Sequence, residues 1–371
     1  MTLYIADISL NNNLWKFEPI EYIEEFTSII WTERWQKCGD FVLTLPSSSL
    51  RNFDSYDDLI DKMLVLKNEK VPREGEKITY ENEYMFIESY SVVYDADDVD
   101  TLTLQGKDLT SILARRIVWG QRVYTNQTIK QICNDLVDSQ IVNPEAVSSG
   151  NYRKIVGFSA TNYDADDIIN NIQFTGDNLL DALIAVCGTD YTPRIKTFYN
   201  NRFRFDLYKG IVRPIVFSQD LDNLERYEEI EDISEYKNAW LVGGEGEGIF
   251  RRYVDYSWEG GKYQRWGAGL FRREKFVDAR DVSSNDGEIG EADYNAMLQQ
   301  RGMDKRLETW VERDGTAEIV TNNLKYKTDY LVGDIITIID TLNNKHQARI
   351  TEFIRCEDAD GYKEYPNFEF I

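Results

Sequence analysis

Polar and apolar positions alternate along much of this 371-residue chain, and two distant stretches alternate in the same order. The first runs Asp61-Lys62-Met63-Leu64-Val65-Leu66, then Tyr84-Met85-Phe86-Ile87-Glu88-Ser89-Tyr90, an acidic turn Tyr94-Asp95-Ala96-Asp97-Asp98, and Thr101-Leu102-Thr103-Leu104. The second runs Gly333-Asp334-Ile335-Ile336-Thr337-Ile338-Ile339, then Ala348-Arg349-Ile350-Thr351-Glu352-Phe353, the turn Glu357-Asp358-Ala359-Asp360-Gly361, and Asn367-Phe368-Glu369-Phe370. A period of two between turn-forming clusters marks short antiparallel strands in a small barrel or sandwich. The pattern predicts two similar small β-barrels, one towards each end of the chain.

Between them the period changes. Apolar residues recur at three and four over Leu109–Val118, and again over Ile129–Val137, where Ile129, Ile132, Cys133, Leu136 and Val137 fall on one helical face. Asn126 or Thr128 supplies the cap of the second helix. A further helix is predicted over Asn178–Cys187, stopped by Gly188. Strands are predicted at Tyr191–Thr197 and Arg202–Lys209, at Asn238–Val242 and near Thr309–Glu312, with a helix over Glu291–Arg306. The fold class expected is α+β, mainly β. Residues 1–113 form the first barrel and 114–202 an α+β module. Residues 203–245 with 315–371 form a discontinuous second barrel, and 246–314 an inserted module with strands and one helix.

Length agrees with several modules rather than one core. The charge, 65 Asp plus Glu against 42 Lys plus Arg for a net of -23, makes the average surface repel nucleic acid and anionic membranes. No apolar run approaches the roughly 18 residues of a membrane-spanning helix. The first residues lack a secretory signal, so synthesis in a cytoplasm is expected. Cys38, Cys133, Cys187 and Cys356 make no Cys-x-x-Cys pair and read as four separate buried thiols rather than a disulfide framework or zinc site.

Candidate chemistry is sparse. His346 is the only histidine, which excludes multi-histidine metal sites. It sits in a predicted exposed hairpin turn, with Cys356 ten residues on and no nucleophile elbow nearby. Gly243-Gly244-Glu245-Gly246-Glu247-Gly248 follows a strand, but no βαβ unit follows it, and its glutamates would repel a pyrophosphate. It reads as a mobile or bulged connection. The Tyr-Asp-Ala-Asp-Asp runs at Tyr94 and Tyr163 lack the central glycine and distal glutamate of a calcium loop and read as hairpin turns. The acidic run Asp220–Asp232 reads as a solvated face. From Arg251 to Phe276, cations (Arg251, Arg252, Lys262, Arg265, Arg272, Arg273, Lys275) alternate with aromatics (Tyr253, Tyr256, Trp258, Tyr263, Trp266, Phe271, Phe276). That pattern suits a strand pair with one buried face, and also nucleic-acid or carbohydrate contact or a protein interface. No catalytic, cofactor-binding or metal-ligating residue is assigned.

Four segments carry a family resemblance: Trp31-Thr32-Glu33-Arg34-Trp35-Gln36-Lys37-Cys38-Gly39-Asp40-Phe41-Val42-Leu43-Thr44-Leu45-Pro46; Leu102-Thr103-Leu104-Gln105-Gly106-Lys107-Asp108-Leu109 with Leu113-Ala114-Arg115-Arg116-Ile117; Asn238-Ala239-Trp240-Leu241-Val242-Gly243-Gly244; and Arg272-Arg273-Glu274-Lys275-Phe276-Val277-Asp278-Ala279-Arg280. In this order, over nearly the whole length, the chain resembles the tail hub proteins of siphoviruses, which are similar to the N-terminal module of tail-associated lysins and to the hub of contractile tails. The resemblance implies a non-enzymatic virion protein of the tail tip or baseplate: a homotrimer whose two barrels per subunit imitate sixfold symmetry. It also implies docking on a hexameric distal tail ring, contacts with a tape measure protein, spike, fibre or separate hydrolase, and passage of phage DNA through the lumen without specific binding. Such a part serves host attachment and genome ejection. Relatives with a lytic C-terminal extension differ from this sequence, in which Ile371 follows directly on the second strand set. Two other readings stay open: a cell-wall hydrolase using an Asp/Glu pair, and a carbohydrate-binding receptor protein built on Trp258 and Trp266.

Overall fold

The computed structural model describes the chain except residues 13, 68–81, 95–99, 145–151, 161–164, 199–201, 225, 258–268, 285–286, 288, 308, 310–311, 319–323 and 341. The chain divides into two compact units, one of residues 1–227 with 316–371 and the other of residues 228–315.

The first unit opens with strands β1 (Leu3–Asn11), β2 (Leu14–Ile23), β3 (Ser28–Arg34), β4 (Asp40–Pro46), β5 (Met63–Leu66), β6 (Glu83–Val93) and β7 (Thr101–Asp108). They pair in the order β3-β4-β7-β6-β5-β1-β2, every pair antiparallel. Alternation explains their core: Ile29, Trp31, Phe41, Leu43, Leu45, Leu102 and Leu104 point inward and are buried. The start of β1 (Leu3 to Ala6) and all of β5 are buried on both faces. Leu3, Ile5, Leu64 and Leu66 face this core, whereas Tyr4, Ala6, Met63 and Val65 face the next one, which is why β5 reads as an unbroken apolar run.

The central layer holds α1 (Ser111–Ala114), β8 (Gln121–Thr128), α2 (Ile129–Val137), β9 (Phe158–Ala160), β10 (Ile168–Thr175), α3 (Leu179–Cys187), β11 (Tyr191–Phe198) and β12 (Arg202–Lys209). The predicted face of α2 is buried residue for residue, and Thr128 caps it reciprocally with Gln131. Asn178 accepts from Leu180 and Asp181 to start α3, and Gly188, at φ 57, ends it. The helix expected over Leu109–Val118 shrinks to the four residues of α1. Val118 N–H is taken by Asp177 and Ile117 bridges Asn178, so tertiary hydrogen bonds end the helix early. The cysteines are not four separate buried thiols. Cys133 and Cys187 share the core between α2 and α3, where burial and a thiol–thiol hydrogen bond push the Cys133 pKa well up; Cys38 and Cys356 are only half buried.

Strand β12 also departs from expectation. Placed by the sequence at the opening of the second barrel, it pairs with β11 and with β9, and Phe203, Phe205 and Leu207 enter the central core. Strand β13 (Val212–Phe217) turns into the second strand set. After β14 (Arg226–Asp232), the second unit contains β15 (Ala239–Gly243), β16 (Tyr253–Ser257), β17 (Glu274–Asp278) and α4 (Glu291–Leu307). Here too a strand expected in the second barrel, β15, lies elsewhere: it is the middle of a three-stranded sheet, antiparallel to β16 and parallel to β17. Trp240, Val242 and Val277 pack with Tyr294 and Leu298 of α4.

Beyond β18 (Glu312–Glu318), the first unit resumes with β19 (Ile335–Ile339), β20 (Lys345–Asp358) and β21 (Gly361–Phe370). β13 runs parallel to β19, β19 pairs with the first half of β20, and β21 pairs with nearly all of it. The far half of β20, Glu352–Glu357, pairs with β3. The two strand sets found in the sequence therefore share one hydrogen-bonded sheet. The fold is mainly β with a smaller helical part.

Candidate functional site

Where β20 meets β3, a cluster of charges is enclosed. Glu33 on β3 and Glu83 at the head of β6 come from the first strand set; Arg355 on β20 and Lys327 just ahead of β19 come from the second. Arg355 donates Nη1 to Glu83 Oε1 at 2.9 Å and Nη2 to Glu33 Oε1 at 2.5 Å, with a further bond from Nη2 to Glu83 Oε2. Lys327 Nζ lies 2.7 Å from Glu83 Oε1 and 3.1 Å from Glu33 Oε1. Tyr326 donates to Glu33 at 3.1 Å and Trp31 Nε1 to Glu83 at 3.0 Å, and the Tyr326 ring stacks on Phe353 at 3.7 Å.

The electrostatics follow from enclosure. Burial alone would raise the Glu83 pKa, but Lys327 and Arg355 hold it well below the usual carboxylate range. Burial would lower the Lys327 and Arg355 values, and the two glutamates raise both. Burial first, then Glu33, pushes the Tyr326 hydroxyl far above its ordinary value. Every charge is matched by one of the other strand set, so the cluster joins the sets and fixes their alignment. It offers no group poised for proton transfer.

An open cavity of about 840 Å³ adjoins the cluster, walled by Trp31, Glu33 and Glu83, by Lys327 and Arg355, and by β11 from Thr192 to Thr197. A further carboxylate lies on its wall: burial pushes the Asp108 pKa up to about 7, against hydrogen bonds from Gly39 and Thr110.

The residues singled out in the sequence come to other ends. His346 is the second residue of β20 rather than an exposed turn; its Nε2 lies 3.0 Å from Asp340 Oδ2 and its ring packs edge-on against Phe370. Cys356 lies ten residues further along the same strand, about 33 Å away at an extended rise, so the two form no pair. The glycine-rich connection is tied to its surroundings by side chains: Arg251 donates to the Gly243 and Gly244 carbonyls at 2.9 and 3.1 Å, and the Tyr294 hydroxyl accepts from Glu245 N–H at 2.8 Å. The Glu245 carboxylate is tied to Ser284. The Arg251 guanidinium lies over the rings of Tyr253 and Phe276. Trp258, Lys262, Tyr263, Arg265 and Trp266 lie outside the described residues, as does Asp95-Ala96-Asp97-Asp98 with Tyr163. The turn Glu357–Gly361 is a plain hairpin closed by Asp360 N–H on Asp358 and by Gly361 at φ 108. No group of three or more potential metal ligands converges among the described residues, and no helix there is long and apolar enough to cross a membrane.

A family model matches residues 11–366. The chain belongs to the Siphovirus ReqiPepy6 Gp37-like protein family. The siphovirus resemblance read from the sequence is thereby borne out. Among solved structures, the chain is similar to a tail protein from Neisseria meningitidis MC58 at 13% identity and TM-score 0.52, covering 100% of this chain and 97% of that one. It is also similar to a 43 kDa tail protein of prophage MuSo2 from Shewanella oneidensis, at 12% identity and TM-score 0.49, with 100% and 98% covered. The first shares its fold; no curated protein matches the sequence.

The charge cluster escaped the sequence reading. Its four charged members are scattered from position 33 to position 355, and only the β3–β20 pairing gathers them. The one signal available was that Glu83 directly precedes the strand predicted from Tyr84.

Proposed function

We propose that the chain is a structural hub of a phage tail tip, three copies of which form a ring of pseudo-sixfold symmetry that joins a hexameric distal tail ring to the tip. In this reading residues 1–113 close as one barrel, and β13 with residues 316–371 as a second. DNA passes through the lumen, and part of the -23 net charge faces it, where it repels the phosphate backbone.

One observation carries the reading. In the first strand set Ile87 N–H donates to Lys62 and Ile87 C=O accepts from Asp61; in the second, Ile350 N–H donates to Asp334 and Ile350 C=O accepts from Gly333. Asp61 and Gly333 are both at positive φ, 65 and 98. A register shift follows directly in both, at Ile87/Ser89 and at Ile350/Glu352. The two sets thus repeat a strand, a bulge and a long hairpin in the same positions. The far half of β20 receives β3 of the other set, whereas the matching half of β6, Ser89–Val93, pairs only with β7 among the described residues. A ring needs that same junction made between neighbouring copies, a head-to-tail contact that closes on itself. The family match and the tail protein of similar fold from Neisseria meningitidis support the assignment.

Sedimentation of the purified chain, alone and with a purified distal tail ring, tests the proposal. It expects a species of three 43.3 kDa chains that images as a ring. A strict monomer under both conditions overturns it.

A further inference from the structure

Strand β11 is the edge of its sheet: it pairs with β12 on one side and with no described strand on the other. Six consecutive residues, Thr192 to Thr197, line the open cavity. A strand presenting a face contributes every second residue; six in a row mean that its hydrogen-bonding edge is the wall. The side that is free is fixed at the start of the strand, where the Tyr191 carbonyl accepts from the Gln36 side-chain amide at 2.7 Å, outside the β12 ladder. Alternation then turns the backbone groups of Pro193, Ile195 and Thr197 to that same side. Pro193 has no N–H, so Ile195 and Thr197 supply the donors, and carbonyls alternate with them.

The charge of this wall runs against that of the chain. The chain is net -23, yet seven of the side chains lining the cavity are Lys or Arg and four are Asp or Glu. Lys196 lies 3.4 Å from Asp206 and keeps 44% of its side chain exposed. Arg355, only 7% exposed, has a buried Nε with no hydrogen-bond partner among the described residues. Lys325, which is exposed, lines the same cavity.

We propose that this cavity docks an extended acidic peptide segment of a partner protein, which adds to β11 as one more strand and sets its carboxylates among Lys196, Lys325 and Arg355. Main-chain pairing to a sheet edge gives such a complex its affinity, and flanking side chains give it selectivity. The open edge is what distinguishes a peptide from other anions: a phosphate or sugar backbone offers no ladder of alternating N–H and C=O groups. The cavity volume, about 840 Å³, falls in the range that encloses a small ligand or a short peptide stretch. The site lies within a single chain and does not depend on ring formation.

The test uses the full chain and a fluorescein-labelled six-residue peptide alternating valine and glutamate, followed by fluorescence anisotropy at low and high salt. Binding is expected at low salt, weakened by salt and weakened about tenfold or more by Lys196→Glu with Lys325→Glu. Methylating alternate backbone nitrogens of the peptide should cost at least as much, and amide exchange at Ile195 and Thr197 should slow when the unmodified peptide binds. This comparison leaves the protein untouched, so it holds even if an edge variant such as Ile195→Pro fails to fold. Absence of binding overturns the proposal, as does equal binding of the methylated peptide or of the lysine variants. Displacement of the peptide by inorganic phosphate, without the exchange signature, overturns it in favour of a small anion.

Discussion

The two strand sets have the same skeleton and different fillings. At the bulge, Ile87 faces Gly106 across the first hairpin, and Ile350 faces Phe368 across the second. A Cβ at Gly106 would lie 1.7 Å from the Phe86 carbonyl oxygen and 2.7 Å from the Phe41 ring, whereas Phe368 is 1% exposed and packs against Phe370 and Tyr227. In the first set a neighbouring ring fills the space over the bulge; in the second the strand supplies its own. The backbone hydrogen-bond pattern is common to both, and the identity of the side chains is not. What the comparison teaches is that a repeated fold is kept by its turn conformations and ladder register, while each copy finds a separate way to reach close packing.

That lesson is open to direct attack. Phe368→Ala should cost about 3–5 kcal/mol, since it empties a fully buried aromatic site, and guanidinium unfolding reads it. Gly106→Phe, which gives the first set the residue of the second, should abolish soluble folded protein. Wild-type circular dichroism and melting for that variant would break the comparison.

Next in size is the cluster that joins the sets. Arg355→Met leaves Glu33 and Glu83 enclosed with one cation fewer and should cost about 3 kcal/mol or more. Adding Glu83→Gln should restore much of the loss, since the stranded charge is then gone. Additive losses in the double variant would show that the residues do not act as one unit.

The pH dependence has a definite sign. The folded Glu83 pKa lies below its ordinary value, so the stability it contributes is complete above the ordinary glutamate pKa of about 4.3 and drains away as pH falls further. Glu83→Gln should therefore flatten the fall in unfolding free energy between neutral pH and about pH 3. A variant as acid-sensitive as wild type would assign that fall to other carboxylates.

The smallest effects concern the two positive-φ positions. Asp61→Gly, which makes the first set match the second, should stabilise by at most about 1 kcal/mol, because glycine reaches the left-handed region without strain. Gly333→Ala should destabilise by more than that gain, since its Cβ would also meet the Trp35 ring at 1.9 Å. Thermal melts of the two variants compare the signs.

Much of the local structure was legible in the sequence. The buried face of α2, its Thr128 cap, the Asn178 cap and Gly188 stop of α3, and the extents of β11, β12 and α4 all depend on residues within a turn or two of each other. The pairing of strands was not legible to the same degree. The alternation in Phe203-Arg204-Phe205-Asp206-Leu207 states that one face is buried but not against what, so β12 was expected in the second barrel and joins the central sheet. The same holds for β15. The charge cluster and the β11 edge were invisible, because no local pattern marks a residue that finds its partner some 270 or 320 positions away.

By itself, then, the sequence determined the periods, the caps, the turns and the repeated order of two strand sets, since each is a matter of backbone preference and one-sided burial over a few residues. The tertiary structure alone decided that β20 joins β3, that four distant charges meet at the seam, and that β11 pairs with a described strand on one side only. Those outcomes depend on which surfaces bury the most apolar area and satisfy the most backbone groups at once, and that competition is settled only across the whole folded chain.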